Sequence, residues 1–477
     1  MVYQKRIQLT KLALALSIAL AGAPALAQNT TSAVGGRISG PDGAPAAGAS
    51  VQIVHTESGS VSTVTTDAQG RYIARGLRTG GPYTIIITKN GQTERREGVF
   101  LTLAETASVD ATIGAAALQT VNVAGNRARA EIFNRNNMGA GTSISNAQLQ
   151  TQASINRNLQ DFARFDPRVS QTDKERGELS VAGQNSRFNS MTVDGVAIND
   201  TFGLEANGSP TARQPISIEA IQSVQVNVAN YDVTQKGYTG GNINAVTKSG
   251  TNTLRGGVYY VYRDDRLAGD RFNVASGQYS TPPNSKETTK GVWASGPIVQ
   301  DKLFFYALSE ETSSTRSGPD FGYLGQGLGT SVGITQNEIT AFTNLAKNQY
   351  GIDLGNTVNG GGQLTSREQM LKADWNISDN HRANLRYQRT TQSEPIFPGF
   401  SATGISLNSY LYNQNKEIET VVAQVFSDWT PSFSTEFRAS SRDYDSVPKN
   451  NARLPTLGFQ LSGPLPADAP SGTRTGN

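Results

Sequence analysis

The stretch that decides the fold runs from T-V-D-G-V (Thr192–Val196) through I-E-A-I-Q-S-V-Q-V (Ile218–Val226) and Y-T-G-G-N-I-N-A-V-T-K-S-G (Tyr238–Gly250). It ends in L-R-G-G-V-Y-Y-V-Y-R (Leu254–Arg263). Up to Gly250 short apolar runs alternate with turns, as in a small mixed α/β domain. After Thr253 the chain alternates. Leu254, Val258, Tyr260 and Tyr262 fall on one face, and Arg255, Tyr259 and Arg263 on the other. The reading is a hand-over from a globular insert to strands with one oily and one wet face.

That alternation returns downstream. Gly291–Gly296 and Leu303–Glu310 read as strands joined by P-I-V-Q-D-K (Pro297–Lys302). Leu371, Ala373 and Trp375 oppose Lys372, Asp374 and Asn376. After a turn at Ser378–His381, Ala383, Leu385 and Tyr387 oppose Asn384, Arg386 and Gln388. Val421, Ala423, Val425 and Trp429 share a face, and Phe437 and Ala439 oppose Glu436 and Arg438. Short connections (297–302, 377–382, 430–434) alternate with long polar ones (264–288, 311–368, 391–419). Short turns on one side and long loops on the other, with strands of ~10 residues and aromatic girdles, mark a transmembrane β-barrel. Tyr260, Tyr262, Trp375, Tyr387 and Trp429 are the girdle candidates. A soluble β-sandwich also alternates, but a connection as long as 311–368 is unusual in one.

The N-terminus reads as an export signal over residues 1–27. Lys5, Arg6 and Lys11 flank the apolar run Leu12–Leu20, and A-L-A (Ala25–Ala27) is a small-residue cleavage site. No later segment is long and apolar enough for a spanning helix, so any membrane entry is by a closed barrel. Between residues 33 and 114, short alternating runs (Val51–Val54, Val61–Thr65, Tyr83–Thr88, Val99–Leu103) are separated by turns at Pro41–Gly43, Asp67–Gly70 and Lys89–Gly91. Such spacing predicts a small β-sandwich. Its single histidine, His55, reads as a surface strand residue rather than a metal ligand.

Leu118, Gln119, Thr120, Val121, Asn122 and Val123 form a short alternating run, within L-Q-T-V-N-V-A-G (118–125), that stands isolated between polar flanks. It reads either as a linker strand or as a segment that adds itself to another protein's sheet edge. Residues 130–250 read as a compact mixed domain. Ser145 with Gln148 is a capping-box start, and Ile155–Arg164 is a second helix ended by Pro167. Asp194 and Gly195 read as turn chemistry: no base, nucleophile or second carboxylate stands at a catalytic spacing.

The 477 residues carry 42 Lys+Arg against 39 Asp+Glu, two histidines and no cysteine. The near-neutral balance gives no reason to invoke nucleic acid. No metal, cofactor, catalytic residue or enzyme activity is expected, and no Walker-type phosphate loop is present.

Several pieces carry a family resemblance. Gly36–Val51, Thr66–Tyr72 and Gly76–Tyr83 resemble a carboxypeptidase-regulatory-like domain, which has no peptidase chemistry. Gly177–Val196, Ile218–Val226, Gly237–Asn252 and Ser295–Tyr306 together resemble a TonB-dependent outer-membrane receptor of the Oar-like group. The resemblance implies a mainly β protein. It has an N-terminal sandwich in the periplasm, a mixed α/β plug (130–250) marked by Asp194, Gly195, Gly240 and Gly241, and the first part of an antiparallel barrel of ~22 strands (254–477). It implies TonB as partner, with Leu118–Val123 where such receptors carry the TonB box, besides outer-membrane lipid and an extracellular ligand. About seven strands are counted after Leu254, an odd number. Bacterial single-chain barrels have an even one, so the expectation is an N-terminal fragment of a longer receptor. An adhesive surface protein and a secreted peptidase-associated module are the competing readings.

Overall fold

The computed structural model describes residues 30–114 and 139–469. Residues 153, 155, 174–176, 204, 214, 231–237, 275–276, 283, 431–432 and 468 fall outside that description. The signal-like segment 1–27 and the run Leu118–Val123 lie outside the described residues.

The N-terminal unit is two packed sheets. One is built on Ser32–Ser39, which pairs with Arg71–Leu77, Thr106–Ser108 and Ala111–Thr112. The other runs Val61–Thr65, Ser50–His55, Gly80–Lys89, Gln92–Leu101. Alternate residues (Val34, Val51, Ile53, Tyr83, Ile85, Ile87) fill a core drawn from this unit alone. The strand Gln92–Leu101 starts earlier than Val99, where its apolar residues begin. Its charged half, Thr93–Glu97, lies at a sheet edge, where charge protects unpaired backbone from other chains.

His55, expected at the surface, is instead buried at the end of its strand, because its ring packs against the core residue Tyr83. Its Nδ1 is 2.8 Å from Ser58 Oγ, and its ring packs edge-on against Tyr83 at 4.8 Å. Burial, helped by the guanidinium charges of Arg78 and Arg382, pushes the imidazole down from 6.5 to about 3. Between those values the unfolded chain holds a proton that the folded one refuses. Stability therefore rises with pH across the window and is lost as pH falls from 6.5 towards 3. Hydrogen exchange of the sandwich amides should show roughly 3 kcal/mol of protection lost between pH 7 and pH 4, and His55→Gln should flatten that dependence.

The second unit is a five-stranded sheet in the order Val196–Ala197, Ser190–Val193, Asn242–Thr247, Ile221–Asn230, Gly139–Ser145. Only Ser190–Val193 and Asn242–Thr247 run parallel. The expected capping box is present: Ser145 and Gln148 close the start of the helix Asn146–Thr151. The second helix is shorter than its apolar spacing suggested. It covers Leu159–Ala163, because the Asn158 side chain accepts from Asp161 N–H and fixes the start there.

The third unit is a wall of seven consecutive antiparallel strands: Arg255–Asp264, Lys286–Val299, Leu303–Arg316, Gly362–Ser378, His381–Ile396, Tyr412–Thr430 and Phe433–Asn450. Their polarity is inverted relative to a soluble sheet. Leu371 and Leu385 are 54% and 53% exposed, whereas Lys372 and Arg386 beside them are 5% and 1% exposed. Strands two to seven run 14 to 19 residues, longer than ~10 residues of membrane crossing require. The added length lies on the long-loop side, in Ser/Thr-rich segments such as Glu310–Arg316 paired with Gly362–Glu368. The loop between them contains a helix, Gln336–Tyr350, opened by a Thr335–Glu338 capping box and closed by Gly351 in the left-handed region.

Trp375 and Trp429 sit at the short-turn rim, Trp429 against His381 at 4.9 Å. Tyr260 and Tyr262 lie towards the opposite end of the first strand. Tyr387 departs from the girdle expectation. It faces outward in mid-strand, opposite Leu371 and Val421, and donates to Glu419 at 3.0 Å. No described helix is long and apolar enough to cross a membrane; the apolar surface the strands offer is their outward face. Leu385→Arg on that face should destabilise the assembled wall by ~2–4 kcal/mol, read as a lower urea midpoint in lipid vesicles. In a soluble sheet the same change on an exposed face would be nearly neutral.

Candidate functional site: the seam between plug and wall

The inner surface of the wall is polar, and a buried polar surface needs partners. The five-stranded domain supplies them. The hairpin Ser190–Ala197 turns through Asp194 and Gly195, whose φ values are 48° and 74°. Two consecutive left-handed residues are what a two-residue primed turn demands, and Asp-Gly fits it best. A Cβ at Gly195 would come within 2.0 Å of Arg438 Nη1, so glycine also leaves room for the wall.

Turn chemistry is half of what Asp194 does. Its Oδ1 accepts from Thr247 N–H at 2.9 Å and its Oδ2 from Thr247 Oγ1 at 2.8 Å, tying the turn to the parallel neighbour strand. Arg386 of the fifth wall strand brings Nε to 2.9 Å from Oδ2, as an ion pair not aimed along an N–H, and Nη2 donates to Val193 O at 3.3 Å. Lys372 of the fourth strand donates to Thr247 Oγ1 at 3.0 Å. Burial by itself would push the Asp194 carboxyl up. The charges of Lys372 and Arg386 and the Thr247 hydrogen bonds outweigh it and hold the group below 3.8. Sequence reasoning missed this role. The signal available was a pair of cations, Lys372 and Arg386, on the wet face of neighbouring strands.

Gly240 and Gly241 have a different task. Asn189 Oδ1 accepts from Gly241 N–H at 2.9 Å while its Nδ2 donates to Leu179 O at 2.8 Å. A Cβ at Gly240 would lie 2.3 Å from Asn189 Oδ1, and one at Gly241 2.6 Å from Val181. The glycines let two backbone segments close on one asparagine. They belong to the plug's own packing, whereas Asp194 and Gly195 face the wall.

A second polar seat holds the turn before Ile218. Ser217 Oγ donates to Glu310 at 2.8 Å, Ser217 N–H donates to Glu368, and Tyr259 OH reaches Glu310 at 2.5 Å. Gln388 joins Glu368 at 3.1 Å, and Thr390 donates to Pro215 O at 2.9 Å. Between the two seats the contact is apolar. Tyr306, Leu308 and Met370 of the wall belong to the same buried cluster as Leu159, Phe162, Val193, Val224 and Ile243 of the inner domain. The arrangement is a folded stopper whose core continues into the wall and whose rim is held by ionic contacts.

Three segments of the chain match known domain families. Residues 33–114 match the carboxypeptidase regulatory-like domain, 134–246 the TonB-dependent receptor plug domain, and 246–323 an outer membrane beta barrel domain. The TonB-dependent transporter Oar of Myxococcus xanthus is 30% identical over 300 residues, covering 60% of this chain and 27% of the relative. The chain thus spans about a quarter of that relative's length. Among solved structures, the outer membrane transporter YddB of Escherichia coli aligns at 12% identity and TM-score 0.47, over 65% of this chain and 40% of that one. The siderophore receptor PirA of Pseudomonas aeruginosa aligns at 14% and 0.41, over 65% and 41%. In carrying regulatory-like, plug and outer-membrane barrel segments in this order, the chain is similar to the Oar-like TonB-dependent outer-membrane receptors.

Proposed function

We propose that this chain serves energised uptake across the outer membrane, as the receptor and transporter of a ligand taken from outside the cell, and that it is not an enzyme. The observation that carries the reading is the plug seated against the wall's inner face, sharing its apolar core and held by the Asp194–Arg386 pair. A stopper held by rim contacts fits a pore that opens only when work is done on it.

In this reading the long loops and the outward side of the plug receive the ligand. TonB captures Leu118–Val123 as an added strand, main chain supplying affinity and alternate side chains specificity. Tension through that segment then frees the plug at its polar seats. The energy comes from the partner complex in the inner membrane.

The test is import by the full-length receptor in cells, offered a ferric siderophore, a maltodextrin, a peptide and a small protein. Uptake of one of these should need both the receptor gene and TonB, and should stop when Val121 and Val123 are changed to proline. Uptake that persists without TonB would sink the reading.

A further inference from the structure

The N-terminal sandwich does not hang free of the barrel. Its tip, 56–60, lies on the rim formed by the short turns of the wall. Glu57 O accepts from Asn252 N–H at 2.8 Å, and the Glu57 carboxylate pairs with Arg255 at 2.7 Å. Ser58 O accepts from Asn376 at 3.3 Å, and Ser62 donates to Asp428 at 3.2 Å. At the other end of the contact the Thr30 hydroxyl lies 3.0 Å from the Gln424 side-chain amide and accepts from Arg438 at 3.2 Å. These contacts reach from the start of the first wall strand to the seventh, so the sandwich lies across the inner mouth.

The contact differs in kind from the seam above it. The plug shares an apolar cluster with the wall, but among the described residues no sandwich residue belongs to that cluster, and no wall or plug residue belongs to the sandwich core. What joins sandwich to rim is hydrogen bonds and ion pairs, with Phe426 beside Gly76 as an apolar touch. Such an interface favours relative motion of its partners. Nor is it fully satisfied. A cavity of about 380 Å³ lies between the three units, lined by Arg78, Thr247, Lys372, Asp374 and Arg382. Buried Asp374 Oδ2, on that lining, has no protein hydrogen bond. Lifting the sandwich away would hydrate that oxygen and the guanidinium of Arg382 beside Gly76.

We propose that the sandwich is a removable inner gate, docked on the short-turn rim at rest and displaced before anything passes between plug and wall. This rests on the transport reading above. It assigns the regulatory-like domain a task beyond spacing the plug from the rim. Release of a polar contact needs less work than extraction of the plug, so the gate opens first.

The chain has no cysteine, which makes a clean lock possible. A Cβ at Gly76 would lie 3.9 Å from that of Phe426, and a Cβ at Gly59 would lie 3.4 Å from that of Asp301. Both are close to disulfide spacing. The full-length receptor with Gly76→Cys and Phe426→Cys should cross-link in cells, seen as a mobility shift on a non-reducing gel. Import of whichever of the four probe compounds the wild type takes up should fall to the level of the gene-deleted strain. A reductant should restore it. Gly59→Cys with Asp301→Cys repeats the test if the first pair fails to assemble. Import by the cross-linked receptor at the wild-type rate overturns the gate and leaves the transport reading standing, as does failure of both assembled pairs to cross-link. A wild type that imports none of the four overturns the transport reading, and the gate with it, before any cysteine is introduced.

Discussion

Asp194→Ala should loosen the plug by ~3–5 kcal/mol, the typical penalty for removing one partner of a buried ion pair. The size follows from what stays behind. Arg386 is 1% exposed and Lys372 lies next to it, so both cations lose the Asp194 carboxylate without gaining water. The Thr247 N–H and hydroxyl lose their acceptor at the same time. Hydrogen exchange at Val193–Ala197 and Thr247 in the assembled receptor would report the loss directly. Arg386→Ala should be damaging too, and the double variant much less damaging than the sum, because the two side chains share one interaction. Additive effects would mean that the pair contributes nothing as a pair. The carboxyl is held below its ordinary value, so its contribution is complete at neutral pH and is lost only as pH falls through 3.8 and below.

The proline pair should act on coupling and leave the fold alone. Val121→Pro with Val123→Pro removes two backbone N–H groups from the segment proposed to pair with TonB. A ladder hydrogen bond contributes about 0.5–1.5 kcal/mol net, and the ring also obstructs strand pairing. Binding should weaken by at least about tenfold, and uptake should fall to that of a strain without TonB. Exchange protection at the Asp194 seat and the amount of receptor in the outer membrane should stay at wild-type levels. If uptake survived the prolines, TonB would have to engage elsewhere. An adhesive surface protein would show no uptake before or after the change, and adhesion would be indifferent to it.

Much of the architecture could be read from the residues because it rests on local periodicity. The period-two alternation of Leu371–Asn376 and Ala383–Gln388 already separates an apolar from a polar face. The long polar connections say which ends of the strands face each other. What alternation leaves open is which face is buried. In a soluble sheet Leu371 and Leu385 would point inward; here they point outward, and the charged residues beside them are the buried ones.

The seam was harder to read for the same reason. Asp194 and Gly195 are legible as a turn, since a two-residue hairpin restricts its own φ values. That Asp194 meets Lys372 and Arg386 depends on wall strands nearly two hundred residues further on, and no spacing rule spans that separation. The helix Gln336–Tyr350 escaped notice because it is polar nearly all round, and a helix without an apolar stripe leaves no periodic trace. The sequence by itself determined three units, the alternating wall and the turn at Asp194, because each follows from bonds and side-chain spacing within a few residues. The tertiary structure alone decided which charges face each other and where the sandwich docks, because those contacts join surfaces whose nearness exists only once the chain is folded.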